Sequence, residues 1–135
     1  MTALSLQKQY TLGELYSLAE QCSHDYPATL ARKIEFLTEV QVILGRRAAE
    51  AVRDYKRIYA QRKREYAEAY LAAGKDKAQR AELAIIEIRL KEADAEADKV
   101  RWHNAVESND QVINSLKYSL KVLLAEFNNP ASGKR

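Results

Sequence analysis

Hydrophobic residues recur every three or four positions along most of the chain, the spacing that places them on one side of an α-helix. The pattern divides into three segments separated by short polar stretches. It predicts a short helix over about 11–23 and two long helices over about 27–73 and 76–127. The chain is therefore predicted to be α-helical along most of its length.

Local signals mark the ends of these helices. Thr11 and Glu14 have the spacing of a capping box, in which each side chain accepts a hydrogen bond from the other residue's amide. Pro27 suits the first position of a helix, because its missing N–H would have no partner there. Glycine commonly follows the C-terminus of a helix, so Gly74 is predicted to end the second helix and the chain to reverse at 74–76.

The second helix has one apolar seam whose steps alternate between four and three residues, as in helices that pack side by side. Its members are Leu30, Ile34, Leu37, Gln41, Leu44, Ala48, Ala51, Tyr55 and Ile58. A further stripe of Phe36, Val40 and Ile43 widens the apolar face of the first half of this helix. A face this wide indicates contact with more than one neighbour.

The third helix is predicted to have a seam that changes phase. The seam residues are Leu83, Ile86, Leu90, Ala93, Ala97 and Val100, followed by Val106, Asn109, Ile113, Leu116, Leu120, Leu123 and Phe127. The step from Val100 to Val106 is six residues rather than seven. The nearby Ser108, Asn109 and Asp110 are weak helix formers. We therefore expect a kink, a stutter or a short break at this point.

These elements predict an all-α fold with a short N-terminal helix followed by a long antiparallel helical hairpin. One domain over 1–128 and a disordered tail over 129–135 are expected. At 1.5 Å per residue the long helices would measure ~70 and ~75 Å, and a lone hairpin of that length cannot bury both faces of both helices. We therefore expect self-association into a coiled-coil homo-oligomer. The alternative is a compact bundle that folds back at Gly45 and Asn109.

Composition narrows the class of protein. Hydrophobic residues make up 47% of the chain and charged residues 30%, which is too apolar for a disordered chain and too charged for a membrane one. Only four glycines and two prolines are present, too few for the turns of an all-β fold. No secretory signal or membrane span is evident. We expect no membrane association and a cytoplasmic location, in the host cell if the protein is phage-encoded.

Enzymatic function is not expected from the residues. The single cysteine excludes a disulfide framework and a cysteine-based zinc site, and His24 and His103 lie 79 positions apart. No glycine-rich nucleotide-binding motif is present. Glu92 and Glu96 share a helical face and could bind a metal, but an acidic face that is solvated, or paired to the basic block in the antiparallel hairpin, is more common. We therefore expect no catalytic residue, no metal and no cofactor.

Positive charge is concentrated in the second helix, although the net charge is only +3. Between Arg46 and Arg64 lie eight basic and two acidic residues. Tyr55, Tyr59, Tyr66 and Tyr70 are interleaved at steps of four, seven and four, which keeps them on one helical face. The residues that we expect to contact nucleic acid are Arg53, Lys56, Arg57, Tyr59, Arg62, Lys63, Arg64 and Tyr66.

The chemistry of these residue types suits single-stranded nucleic acid. Basic side chains neutralise phosphates and release counterions. Aromatic rings stack on unpaired bases with little regard to sequence. The alternatives are that the tyrosines form a packing seam and that the basic residues form only a solvated face. Tyr55 favours the packing interpretation, since it lies on the apolar seam.

Several segments together resemble the UvsY-type recombination mediator proteins of bacteriophages. They are TLGELYSLAEQC, HDYPATLARKIEF, RKREYAEAY, a glycine-containing reversal, ADAEADKV and NSLKYSLKVLLAEF, and their order and the length of the chain match the family. The resemblance covers nearly the whole chain and is one of pattern and order rather than of a strict signature. It implies a small helical protein that loads a phage recombinase onto single-stranded DNA coated by a single-strand-binding protein, in DNA recombination and repair.

The resemblance also implies an assembly and a binding segment. Proteins of this family form ring-like homo-oligomers, as heptamers, through their long helices and C-terminal region. In this sequence that region contains Ile113, Leu116, Leu120, Leu123 and Phe127, which are the expected oligomerisation residues. The family's Lys-x-Arg pair for single-stranded DNA corresponds here to Arg62 and Arg64, with Lys56 and Arg57 as rival positions.

Two other functions are consistent with the sequence. The first is a structural or interaction coiled coil, such as a phage assembly factor, which would self-associate without preferring single strands. The second is a helical adaptor or inhibitor that would present its basic surface to an acidic protein partner. Neither would act on nucleic acid.

Overall fold

A computed structural model gives the structure of the protein and describes residues 9–129. Four α-helices occupy most of that range, and it contains no strand: α1 (Leu12–Glu20), α2 (Pro27–Ala72), α3 (Lys77–Ala84) and α4 (Ile86–Phe127). The predicted all-α class is confirmed, and the long helices pack against each other. Of the tail predicted over 129–135, all but Asn129 lies outside the described residues.

The start of α1 has the predicted capping box. The amide of Glu14 donates to Thr11 Oγ1 at 3.2 Å, and the amide of Thr11 donates to Glu14 Oε1 at 3.0 Å. Both amides lie at the helix start, where no carbonyl of the helix could accept from them. The helix ends at Glu20, three residues before the expected end. Beyond it, Ser23 Oγ accepts from the Asp25 amide at 3.0 Å and stabilises a turn.

The second helix begins at Pro27, as predicted, and continues for 46 residues. The chain then reverses between Ala72 and Lys77, but not through a left-handed glycine. Among the described residues the positive φ belongs to Asp76, at 51°, and to no glycine. Aspartate tolerates this conformation better than most residues, because its short side chain can hydrogen-bond locally. Gly74 therefore marks the position of the turn without supplying its left-handed residue.

The predicted third helix is divided, but not where the sequence indicated. Ile85, with φ −105° and ψ 10°, separates α3 from α4. The helix α4 then continues without interruption from Ile86 to Phe127, through the segment 106–110 where we expected a break. The expected break at that segment is therefore wrong.

The missing break has a simple cause, because the first half of the predicted seam, from Leu83 to Val100, is wrong, whereas the second half is buried or half-buried from Val106 to Leu123 as predicted. Leu83, Ile86, Leu90, Ala93, Ala97 and Val100 are all exposed. Apart from Ala105, the buried and half-buried positions are Ala81, Ile85, Ile88, Glu92, Ala95, Lys99, Trp102, Val106, Asn109, Ile113, Leu116, Leu120 and Leu123. This series alternates steps of four and three throughout, so no change of phase exists.

The described residues group into two compact units. The first falls within Met1–Ile43 and Glu107–Arg135, and the second is Leu44–Val106. The sequence predicted one domain over 1–128. The first unit buries nine hydrophobic residues and the second only five. The smaller core of the second unit leaves large apolar side chains of α3 and α4 exposed to solvent.

The first unit contains α1, the first part of α2 and the last part of α4. Its core includes the predicted α2 seam residues Leu30, Ile34 and Leu37, together with the second stripe residues Phe36 and Val40. The wide apolar face of α2 is therefore buried, as the pattern of two stripes predicted. Its other core residues are Leu15 and Ala19 of α1 and Ile113 and Leu116 of α4.

A polar contact lies inside this core. Asn109 is buried, and its Nδ2 donates to the Leu37 carbonyl at 3.0 Å and to Gln41 Oε1 at 2.8 Å. Both Asn109 and Gln41 occupy seam positions of their helices. A polar pair at matching seam positions favours one axial alignment of two helices over others, because any shift leaves the amides unpaired.

This contact gives a prediction about stability. We expect Asn109→Ala to lower the free energy of unfolding by about 1–3 kcal/mol, because a buried acceptor loses its donor. The double substitution Asn109→Leu with Gln41→Leu should recover much of that loss, since it replaces both partners with apolar groups. Urea denaturation measures both. Asn114→Ala, at an exposed position of the same helix, is the control and should change stability by less than about 0.5 kcal/mol.

The second unit contains the end of α2, the whole of α3 and the beginning of α4. Arg47 contacts Trp102, Tyr55 contacts Lys99, and Arg62 contacts Glu92. Residues later in α2 thus meet residues earlier in α4, so the two helices are antiparallel within this unit. None of the described helices has a stretch long and apolar enough to cross a membrane.

Candidate nucleic-acid interface

Ile58 is the last residue of the predicted α2 seam, but the inward face of α2 continues to Arg62. Arg62 Nε lies 2.8 Å from Glu92 Oε1 and donates to Glu92 Oε2 at 3.0 Å. Glu92 is itself a seam position of α4. The two side chains are only 21% and 16% exposed. This ion pair therefore lies between the two helices rather than on the outer surface of α2.

The environment of Arg62 keeps it charged. The hydrogen bond to Glu92 raises the pKa of the Arg62 guanidinium above its ordinary value, although partial burial opposes the shift. The negative charge of Glu92 acts in the same direction as the hydrogen bond. A guanidinium held in this way is less available to a phosphate than an unpaired one, because binding there would have to displace Glu92.

We therefore predict that Arg62 contributes more to stability than to nucleic-acid binding. Arg62→Ala should lower the free energy of unfolding by about 1–2 kcal/mol, because Glu92 is left largely buried without its partner. The expected loss is smaller than for a fully buried ion pair, since both side chains retain some exposure to solvent. Arg64→Ala, two residues further on the exposed surface, is the matched control. Thermal or urea unfolding of both variants tests this, and equal stabilities would contradict it.

Four arginines form a row on the side of α2 that faces away from the seam. The outer row, as we name it, consists of Arg46, Arg53, Arg57 and Arg64. Their steps of seven, four and seven residues keep them on one side of a helix with 3.6 residues per turn. The row extends over ~27 Å at 1.5 Å per residue. Arg46 was not among the predicted contact residues, although its seven-residue spacing from Arg53 was a signal for it.

All four members of the outer row are exposed. Within residues 9–129, none of them makes an ion pair with an acidic side chain. The same is true of Lys56 and Lys63, which lie beside the row. None of these six charges is in an ion pair, and only Glu50 and Asp54 lie among them along α2, so the surface has a local excess of positive charge that attracts anions.

Tyr59 adjoins the basic surface. It is exposed, with Lys63 Nζ 4.7 Å from its ring centre and the Arg62 guanidinium carbon 5.2 Å away. Its ring lies 6.3 Å from that of Tyr55, which packs against Lys99. Tyr59 therefore has a partly exposed ring on which a base could stack by displacing the Lys63 ammonium, whereas Tyr55 belongs to the packing between the helices, as its seam position indicated.

The second tyrosine pair is exposed to about the same degree as the first, since Tyr70 is 41% exposed and Tyr59 37%. Tyr66 is half-buried and its ring stacks on that of Tyr70, with centres 6.2 Å apart and planes 25° apart. Tyr70 also carries Lys77 Nζ at 5.6 Å. The predicted contact residues thus separate into two sets. Arg53, Lys56, Arg57, Tyr59, Lys63 and Arg64 are exposed together on α2, whereas Arg62 and Tyr66 are partly covered.

The predicted oligomerisation residues also differ in exposure. Ile113 and Leu116 are buried within the first unit, Leu120 and Leu123 are half-buried, and Phe127 is 55% exposed. The first two are already covered by the chain's own helices.

Acidic side chains do not converge in this part of the molecule. Glu92 of the Glu92 and Glu96 pair is engaged by Arg62. No group of three or more histidine, cysteine, aspartate or glutamate side chains in residues 9–129 is arranged to hold a metal ion.

No family model, no curated protein and no solved structure matches the chain.

Proposed function

We propose that this protein binds single-stranded DNA as a homo-oligomer and acts as a recombination mediator. In that role it helps load a recombinase onto strands coated by a single-strand-binding protein. The observation that carries the proposal is the outer row of four exposed arginines, unpaired by any acidic group of the described chain, with Lys56 and Lys63 beside it and Tyr59 in contact with Lys63.

The outer row fits a nucleic-acid backbone in length and charge. At a phosphate spacing of about 3.4 Å along one stacked strand, ~27 Å corresponds to about eight phosphates. Each guanidinium can donate two parallel hydrogen bonds to a phosphate. Tyr59 offers a ring to unpaired bases only, which favours single strands over duplex. Nothing in this surface reads the edge of a base pair, so sequence preference should be weak.

The mediator part of the proposal rests on the resemblance to UvsY-type proteins. In an oligomer, several copies of the outer row would hold one strand, and the combined contacts would bind far more tightly than one copy. A strand held by its phosphates in this way is gripped less strongly by the single-strand-binding protein and can be passed to the recombinase. No covalent step is involved, and the proposed location is the host cell cytoplasm.

Fluorescence anisotropy with a labelled oligonucleotide tests the binding step. We expect single strands to bind more tightly than duplex of the same length. The logarithm of the affinity should fall with the logarithm of the salt concentration by about 0.7 for each phosphate contact. Equal and weak binding to both forms would refute the DNA role. A strand-exchange assay with a recombinase and a single-strand-binding protein then tests the mediator step.

A second candidate function is a structural or adaptor coiled coil without a nucleic-acid role. The observation that favours it is the exposed apolar stripe on α3 and α4, which suits a helical partner whether or not the protein binds DNA. Self-association together with no preference for single strands would support this function over the first.

A further inference from the structure

A continuous apolar stripe lies on the exposed side of α3 and α4. The outer stripe, as we name it, consists of Leu83, Ile86, Leu90, Ala93, Ala97 and Val100. Its four large members are exposed by 68%, 52%, 65% and 49% in that order. Their spacing is that of a coiled-coil seam, although the seam used within the chain is a different one.

The outer stripe keeps its phase across the break at Ile85. On the inward side, Ala81, Ile85 and Ile88 are buried at steps of four and three, so the two sides remain in alignment from α3 to α4. Leu83 and Ile86 line one surface groove and Ala97 and Val100 line another, and no residue of α2 contributes to either. The stripe therefore forms a surface of α3 and α4 alone.

We propose that the outer stripe is the seam of a parallel, in-register, two-stranded coiled coil between two copies of this chain. Counting from Leu83 as position a, the a positions are Leu83, Leu90, Ala97 and Asn104, and the d positions are Ile86, Ala93 and Val100. The 22 residues from Leu83 to Asn104 supply about three heptads, the length at which such a seam becomes effective. In this register Ala93 and Ala97 each face the same alanine of the second copy, so the two helices can approach closely there.

The charges beside the stripe favour a second copy in parallel orientation. In a parallel pair each g position faces the e position of the next heptad on the other helix. Arg89 would then face Asp94 of the second copy, and Glu96 would face Arg101 of the second copy. Each of these two favourable charge pairs occurs twice by symmetry. The one unfavourable charge pair is Glu82 facing Glu87 of the second copy.

The antiparallel arrangement is less favourable on the same criterion. It would place Glu87 opposite Asp94 and Arg80 opposite Arg101 along one side, so two types of like-charge pair would stand against one favourable type, Arg89 opposite Glu96, along the other. Arg89 and Arg101 now pair with Glu82 and Asp98 of their own chain. Those pairs are exposed, so exchanging them for contacts to a second copy costs little.

Asn104 adds a further reason for two parallel strands. It is exposed and occupies the a position that follows Val100. A single asparagine at an a position favours a parallel two-stranded coiled coil, because the two amides can hydrogen-bond across the seam in only one register. The inference names a contact between two copies, and an assembly of more copies would use a second surface as well. The contact does not depend on nucleic-acid binding.

Measuring the mass of the full-length protein in solution by sedimentation equilibrium tests the interface. We expect Leu90→Asp to weaken association through this seam by about 100-fold or more, because two carboxylates would be buried against each other. Its helix content by circular dichroism should be unchanged, since Leu90 is no part of the chain's own core. Leu71→Asp, at a 78% exposed leucine outside the stripe, is the control and should associate as wild type does.

Cysteine cross-linking tests the orientation. In a Cys22→Ser background, Leu83→Cys and Asn104→Cys should each form a disulfide with the same residue of a second copy, because a parallel pair brings equal positions together. A wild-type protein that is monomeric at high concentration would overturn the proposal, and so would a Leu90→Asp variant of unchanged mass. Cross-linking of Leu83→Cys only to Val100→Cys in a mixed sample would overturn the parallel register. If the wild-type protein forms the predicted oligomer but does not bind single-stranded DNA, that result counts against the proposed function alone.

Discussion

We expect the triple variant Arg53→Ala, Arg57→Ala, Arg64→Ala to bind single-stranded DNA about 100-fold more weakly than wild type at ~0.1 M salt. The estimate follows from counterion release, which at this salt concentration contributes about 0.7 logarithmic units for each phosphate contact on a single strand. The slope of the logarithm of affinity against that of salt should become shallower by about 2. Anisotropy titrations across a salt series measure both quantities.

A charge-matched control separates the outer row from net charge. Arg32→Ala, Lys117→Ala, Lys121→Ala removes the same three charges from exposed positions of the first unit. We expect this variant to lose little affinity, and to keep most of its salt slope. If the two triple variants lost equal affinity, the binding would depend on overall charge and the outer row would not be the site.

The outer row is chosen over the RKR segment at 62–64 for a structural reason. Arg62 is held by Glu92 between the helices, so its removal disturbs packing as well as charge. Arg53, Arg57 and Arg64 are exposed and unpaired by the described acidic residues, so their removal should leave the fold intact. A loss of binding in this variant is therefore a statement about the interface. Unchanged thermal stability of the triple variant should accompany the loss.

The second large effect concerns the two apolar series on α3 and α4. We expect Ile88→Ala to lower the free energy of unfolding by about 2–4 kcal/mol, because the side chain is 5% exposed and its removal leaves a cavity. Leu90→Ala, two residues further along the same helix, should change it by less than about 0.5 kcal/mol. Urea denaturation measures both variants at a protein concentration low enough that association adds nothing to the apparent stability.

A pair of variants on α3 and at the break repeats the comparison. Ile85→Ala should destabilise the protein and Leu83→Ala should not, because Ile85 is fully buried and Leu83 is 68% exposed. If instead the Leu83 and Leu90 variants were the unstable ones at low concentration, the outer stripe would be part of the core of a single chain. That outcome would also remove the surface on which the coiled-coil inference depends.

The mistaken seam has a physical explanation. Both series on this region follow steps of three and four, so the spacing does not distinguish them. The exposed series contains Leu83, Ile86 and Leu90, and it looks more hydrophobic than the buried one, which includes Glu92 and Lys99. A rule that seeks the most apolar face therefore selects the wrong side.

Only the pairing of helices explains why polar residues occupy the true seam. Glu92 meets Arg62, Lys99 lies 4.3 Å from the ring centre of Tyr55, and Asn109 donates to Gln41. Each of these three polar side chains of the α4 seam thus has a partner on α2. A buried polar group is tolerated when a hydrogen-bond or charge partner is present. These partners lie 30 to 72 residues away in sequence, so the spacing of residues along one helix does not reveal them.

Residue types and their spacing were enough to predict the helical class, the capping box at Thr11, the start of α2 at Pro27 and the inward seam of α2 from Leu30 to Ile58. These features depend on interactions within a few residues, which spacing and residue type describe directly. The packing of the helices determines which face of α4 is buried and where the third predicted helix divides. It also places Arg62 between α2 and α4 and leaves the outer row exposed to solvent. These features depend on partners distant in sequence, because a charge or an apolar stripe is buried or exposed according to what the fold places against it.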